Sequence, residues 1–191
     1  MRRLATLLLV AVLASPAGAA VVHDESVDGD LSSDAGAPTA LVFAAGGNTV
    51  TGTTSNLPAD PAERDYITFT IPAGQKLIDL NLLSYSPDNL SFAAFNAGNT
   101  SFIPSAATDT SFLAGIHIAG ADVGTDLMPN FVSSAVTTNS LLAAELGPGT
   151  YCFMIQQTNA IIQSYSLEFV IMEDGVQNES ASWGKVKGLY R

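Results

Sequence analysis

The chain has 191 residues, 47% of them hydrophobic and 13% charged, which suffices for one domain with a sizeable core and is too apolar for a disordered chain. Eighteen Asp and Glu against seven Lys and Arg give a net charge of -11, which argues against a protein that holds nucleic acid or an anionic membrane by charge.

At the start, Arg2 and Arg3 precede the apolar run from Leu4 to Leu13, and Ala17-Gly18-Ala19 supplies the small side chains that a signal peptidase reads. A signal peptide over 1–19 is expected, because about ten apolar residues fall short of the roughly twenty that span a bilayer. Loss of Arg2 and Arg3 leaves five cations against eighteen acids, or -13. No later stretch has the length and apolarity of a membrane span, so a secreted, periplasmic or cell-surface protein is expected.

Residues 20–38 read as an extended acidic lead-in. Val21 to Asp34 is polar and rich in turn formers. Glu25, Asp28, Asp30 and Asp34 place hard oxygen ligands at short spacing beside Gly and Ser, as an extracellular calcium site requires. The spacing is only loosely that of an EF-hand loop, since the twelfth position counted from Asp28 is Thr39 and not a glutamate. A solvated acidic linker is the alternative reading.

From Thr39 onward, short β-like runs alternate with Gly, Pro, Asn and Asp clusters. The runs are Thr39 to Ala45, Thr49 to Thr54, Tyr66 to Ile71, Lys76 to Tyr85, Leu90 to Phe95, Phe112 to Ala119, Phe131 to Val136, Tyr151 to Gln157 and Tyr165 to Met172. Their spacing predicts an all-β antiparallel sandwich of about eight or nine strands over 39–172. Ile67, Phe69 and Ile71 share one face of their run while Thr68 and Thr70 take the other; Tyr165, Leu167, Phe169 and Ile171 repeat the pattern. Pro72-Ala73-Gly74 and Gly147-Pro148-Gly149 read as turns. Leu141 to Leu146 has helix propensity but is short, and fits either one helical turn or, by preference, a strand.

Catalytic signals are sparse. The chain has one cysteine and two histidines, and lacks Gly-x-Ser-x-Gly, His-Glu-x-x-His, Cys-x-x-Cys and phosphate-loop patterns. Cys152, flanked by Tyr151 and Phe153, reads as a packed thiol, and His117 alternates with Ile116 and Ile118 as a solvated or edge histidine. No catalytic residue is expected.

Two segments together carry a resemblance. Asp65-Tyr66-Ile67-Thr68-Phe69 leads into the Pro72-Ala73-Gly74 turn, and Gly149-Thr150-Tyr151 is followed by Tyr165-Ser166-Leu167. The chain thereby resembles bacterial pre-peptidase C-terminal domains over residues 25 to 172. That resemblance implies a jelly-roll-like β-sandwich in a stand-alone secreted form, and some members bind calcium through acids of the N-terminal stretch. On the residues alone, Asp65 reads as a turn cap before a strand, and Tyr66 and Tyr151 as rings that keep a hydroxyl near water.

Residues 173–191 read as an acidic linker followed by a basic tail. Lys185, Lys187 and Arg191 are three of the five cations left after signal cleavage, and Trp183, Val186, Leu189 and Tyr190 recur at helical spacing. Docking of these four on a partner and packing onto the parent domain are both open. The expected function is a non-catalytic exported module that binds a protein or cell-surface partner or joins an extracellular assembly, with calcium as the candidate cofactor and self-association as an open option. A secreted hydrolase or accessory substrate-binding domain is one alternative, and a polymerising structural subunit is another.

Overall fold

The computed structural model describes residues 19–57, 60–101 and 111–175. Its strands are β1 (Ala20–Asp24), β2 (Thr39–Ala40), β3 (Gly46–Leu57), β4 (Asp60–Ile71), β5 (Gln75–Ser86), β6 (Ser91–Ala97), β7 (Ala114–Ile118), β8 (Gly149–Gln157) and β9 (Ile162–Glu173). Two short helices, α1 (Glu25–Asp28) and α2 (Met128–Ser133), interrupt them. The protein is all-β. Hydrogen-bonded neighbours run β5-β9-β3-β4-β8-β6-β7 and every pair along this path is antiparallel, while β1 joins β3 and β2 joins β4 in parallel.

The sheet curls at one place. β3 and β4 pair only through Ser55 with Glu63 and Leu57 with Asp60, whereas β3 pairs with β9, and β4 with β8, over most of their lengths. The two halves therefore splay apart beyond that hairpin and face each other across the core. Phe169 of β9 meets Phe69 of β4 at 5.6 Å and Phe153 of β8 at 5.5 Å between ring centroids, in edge-on contacts.

The period-2 pattern explains the assignment. Ile67, Phe69 and Ile71 are buried on β4, as are Tyr165, Leu167, Phe169 and Ile171 on β9. Strand β8 is unbroken in its apolarity because both its faces are covered. Phe153 and Ile155 enter the main core, while Met154 joins Tyr66, Phe92 and Phe112 in a second cluster behind the sheet. Cys152 is buried there, and burial pushes its thiol up to about 12. The Pro72-Ala73-Gly74 turn closes with Gln75 N donating to Pro72 O, and Gly74 holds φ at +79°, which suits glycine.

Four segments depart from the sequence reading. Phe131 to Val136, expected as a strand, instead overlaps α2; Asp126 Oδ1 accepts from Met128 N, Pro129 sits in the first turn, and Phe131 plugs the core against Phe95 at 4.9 Å. Of Thr39 to Ala45, only Thr39–Ala40 forms a strand. The chain then leaves β4 so that Phe43 can wedge between Phe69 and Phe169 at 4.8 and 4.9 Å. Leu141 to Leu146 is neither a helical turn nor a strand, since Leu141 and Leu146 are buried by separate contacts and only Leu146 bridges to Leu77. The acidic lead-in is no free linker, because β1 adds to β3 and α1 follows it at once.

Phe69→Ala and Phe169→Ala should each cost about 3–5 kcal/mol through lost burial and the cavity left behind. A melt of either variant checks this, and an unchanged melting temperature would contradict the packing.

Candidate metal centre

The candidate site forms where the N-terminal segment crosses the gap between the two halves of the sheet. Asp24 caps α1 by accepting from Ser26 N, and Asp28 returns the bond by accepting from Asp24 N at 2.9 Å. His23, buried on β1, donates from Nε2 to Gly29 O at 3.0 Å. Gly29 has φ +92°, and this turn brings Asp30 back beside Glu25. Leu31 then anchors the chain in the core.

Glu25 reaches from α1 to the sheet. Its Oε1 accepts from Leu31 N at 3.2 Å, and its Oε2 accepts from Thr53 N at 2.7 Å and Thr53 Oγ1 at 3.1 Å. Asp65 comes from the opposite direction. It precedes Ile67, Phe69 and Ile71 by the strand period, so β4 points its carboxylate into the core face and leaves it 1% exposed. The Tyr165 hydroxyl donates to Asp65 Oδ2 at 2.7 Å, and Asp65 Oδ1 is buried with no hydrogen-bond partner.

Glu25, Asp30 and Asp65 each offer a carboxylate oxygen within 4.8 Å of the others. Calcium–oxygen distances are about 2.3–2.6 Å, so ligands on opposite sides of one ion lie roughly 4.6–5.2 Å apart. The gap is of ion size. Burial holds the Asp65 carboxyl well above its usual range, with the Glu25 charge second, and burial likewise raises Glu25. Among the described residues no Lys or Arg side chain pairs with these carboxylates. Arg64 donates from Nε to Gln156 Oε1 at 2.6 Å, and Lys76 is paired with Glu145 and Asp174; these are the two Lys and Arg side chains among the described residues.

Gly52 makes room for the cluster. It lies opposite Tyr165 in the β3–β9 register, and a Cβ there would stand 2.7 Å from Tyr165 Oη and 3.0 Å from Glu25 Oε1. A hollow of about 290 Å³, lined by Asp30, Thr53, Ser55, Leu57, Glu63 and Ile162, opens beside the carboxylates to solvent.

Of the four acids read from the sequence as metal ligands, the structure brings Glu25 and Asp30 together. Asp28 and Asp34 spend an oxygen each on local backbone, Asp34 Oδ1 accepting from Gly36 N at 2.8 Å, and neither joins the cluster. Asp65, a turn cap on the sequence pattern, is instead a core-facing carboxylate inside β4. The signal was available: the period of Ile67, Phe69 and Ile71, carried back one step, falls on Asp65. Tyr66, expected to keep its hydroxyl near water, is fully buried in the second cluster. His117 is exposed on β7, with its ring 6.0 Å from that of Phe92. The signal segment and Trp183, Val186, Leu189 and Tyr190 lie outside the described residues. No family model matches the chain, and no curated protein matches it.

A carboxyl whose folded-state pKa is raised above its ordinary value contributes stability that is fully present below the unfolded value and is lost as pH rises through the folded one. For Asp65 the ordinary value is 3.8. In chelator, therefore, the melting temperature should fall as the pH climbs from about 4 upward. Asp65→Asn should flatten that fall; an equal slope in the variant would show that Asp65 does not titrate in this way.

Proposed function

We propose that the protein is a non-catalytic exported β-module that binds calcium through Glu25, Asp30 and Asp65, and that the ion fastens the N-terminal segment to the sheet. The observation that carries this reading is the orphaned, buried Oδ1 of Asp65 beside two further carboxylates. A protonated oxygen would need an acceptor there, whereas a cation needs only the lone pairs. Hard oxygen donors select calcium or magnesium over softer metals, and an irregular set of protein carboxylates completed by water suits calcium better than the strict octahedron of magnesium.

The module reading is supported by what surrounds the site. The single thiol is buried and has its pKa raised, and His117 stands on the outer edge strand away from the carboxylates. The Asp65-Tyr66, Pro72-Ala73-Gly74, Gly149-Thr150-Tyr151 and Tyr165-x-Leu167 positions that resemble pre-peptidase C-terminal domains serve strand, turn and core here, and Asp65 with Tyr165 also forms the wall of the ion site. Export would bring the protein into millimolar calcium, where a weak site fills.

Calcium at about 100 times its dissociation constant stabilises a native-only binder by about 2.7 kcal/mol. For a domain of this size that is a rise of roughly 5–10 °C in melting temperature. Asp65→Asn and Asp30→Asn should each remove most of the rise, whereas Asp34→Asn should keep it. A flat calcium response in the unaltered protein would overturn the reading.

A further inference from the structure

The outer edge of β3 has unusual chemistry. On one side β3 pairs with β9 from Gly46 to Ser55; on the other β4 pairs with its C-terminal end at Ser55 and Leu57, and ahead of that its cover is β1, which pairs with Asn48 to Thr51, and the Glu25 carboxylate, which takes Thr53 N. The covered stretch reads Asn48-Thr49-Val50-Thr51-Gly52-Thr53. It has no charge and no proline, the two devices by which proteins keep an edge strand from pairing with another chain, and four of its six residues are β-branched.

β1 is a light cover. Its parallel ladder joins four Cα pairs and slips register between Val21 and His23. His23 is its one buried residue, Val22 packs against the core in part, and Val21 is 68% exposed. Its C-terminal end is fixed by Glu25 and, through Asp30, by the carboxylate cluster. Gly29, at φ +92° with open space around its Cα, stands between α1 and the anchor at Leu31.

We propose that this edge is a self-association surface whose occupant is β1 of a second copy, exchanged for the chain's own β1 when the cation leaves. The inference rests on the calcium reading above. With the ion bound, Glu25 and Asp30 are drawn to Asp65. Without it the same carboxylates, joined by Glu63 on the wall of the hollow, repel one another across the contact that fixes the end of β1. The vacated edge and the released strand are complementary because each is the other's native partner. A reciprocal exchange about a two-fold axis gives each copy one strand and takes one away, so the dimer closes and leaves neither β3 uncovered.

Size-exclusion chromatography with light scattering on the purified protein, in millimolar calcium and in EGTA, reads the exchange. A monomer in calcium and a dimer in EGTA, reversed by added calcium, is the expected result. Val21→Cys with Thr49→Cys joins two Cα partners in the β1–β3 register. Oxidised in calcium, this variant should close its disulfide within one chain and stay monomeric when moved to EGTA. Oxidised in EGTA, it should link two chains on a non-reducing gel. A protein that remains monomeric in EGTA and forms only the intrachain disulfide there, while calcium still raises its melting temperature, would overturn the exchange and leave the cation site standing. Dimerisation of the stapled monomer in EGTA would also overturn it, since association would not then require β1. Loss of the calcium-dependent melting shift together with monomers in both buffers would overturn both readings.

Discussion

Asp65 occupies a position that the β4 pattern reserves for an apolar side chain, and the surrounding structure is arranged to tolerate it. A buried carboxylate that keeps its charge carries a penalty of several kcal/mol. The Tyr165 hydroxyl, itself at a core-facing position of β9, offsets about 1.5–3 kcal/mol of that through one charged hydrogen bond. One oxygen remains without a partner. The gap among the three carboxylates is the size of an ion, and a cation there would meet that oxygen.

The same constraint accounts for features that are otherwise unrelated. Gly52 is a glycine in the middle of a twelve-residue strand, where glycine weakens pairing, and its missing side chain is the space that Tyr165 Oη and Glu25 Oε1 fill. Gly29 lets the chain double back so that Asp30 stands beside Glu25. The N-terminal segment joins β3 in parallel along the stretch that the short β3–β4 pairing leaves open, and Glu25 ends that pairing by bonding to Thr53. A short peripheral element is in this way tied to the interior through side-chain oxygens more than through buried apolar area.

The strands of the two sheet halves were legible because burial of one face leaves a period of two, as in Ile67-Thr68-Phe69 and Leu167-Glu168-Phe169. The helix at Met128–Ser133 was missed because Phe131-Val132 looks like the start of a strand, while the Asp126 carboxylate and Pro129 that set the helical turn lie just before it. Phe43 reads as part of a strand because its apolar neighbours hide its packing between two rings, tilted by 32° and 34° to them. Two of the three carboxylates of the candidate site, Glu25 and Asp30, are legible as acids close in sequence. Tyr165 and Gly52 are register partners on β9 and β3, and Asp65 meets them from β4 across the core, through a curl of the sheet that no local pattern encodes.

A cation among Glu25, Asp30 and Asp65 is the proposal on which the function and the strand exchange both depend. Diffraction from crystals grown in calcium, with manganese exchanged in for its anomalous signal, tests it most directly. The account requires an anomalous peak within about 2.0–2.6 Å of an oxygen from each of the three carboxylates, with Asp65 Oδ1 among the ligands and water completing the shell toward the open hollow. Clear density for Asp65 Oδ1 bonded to an ordered water, with no anomalous peak between the carboxylates, would contradict it.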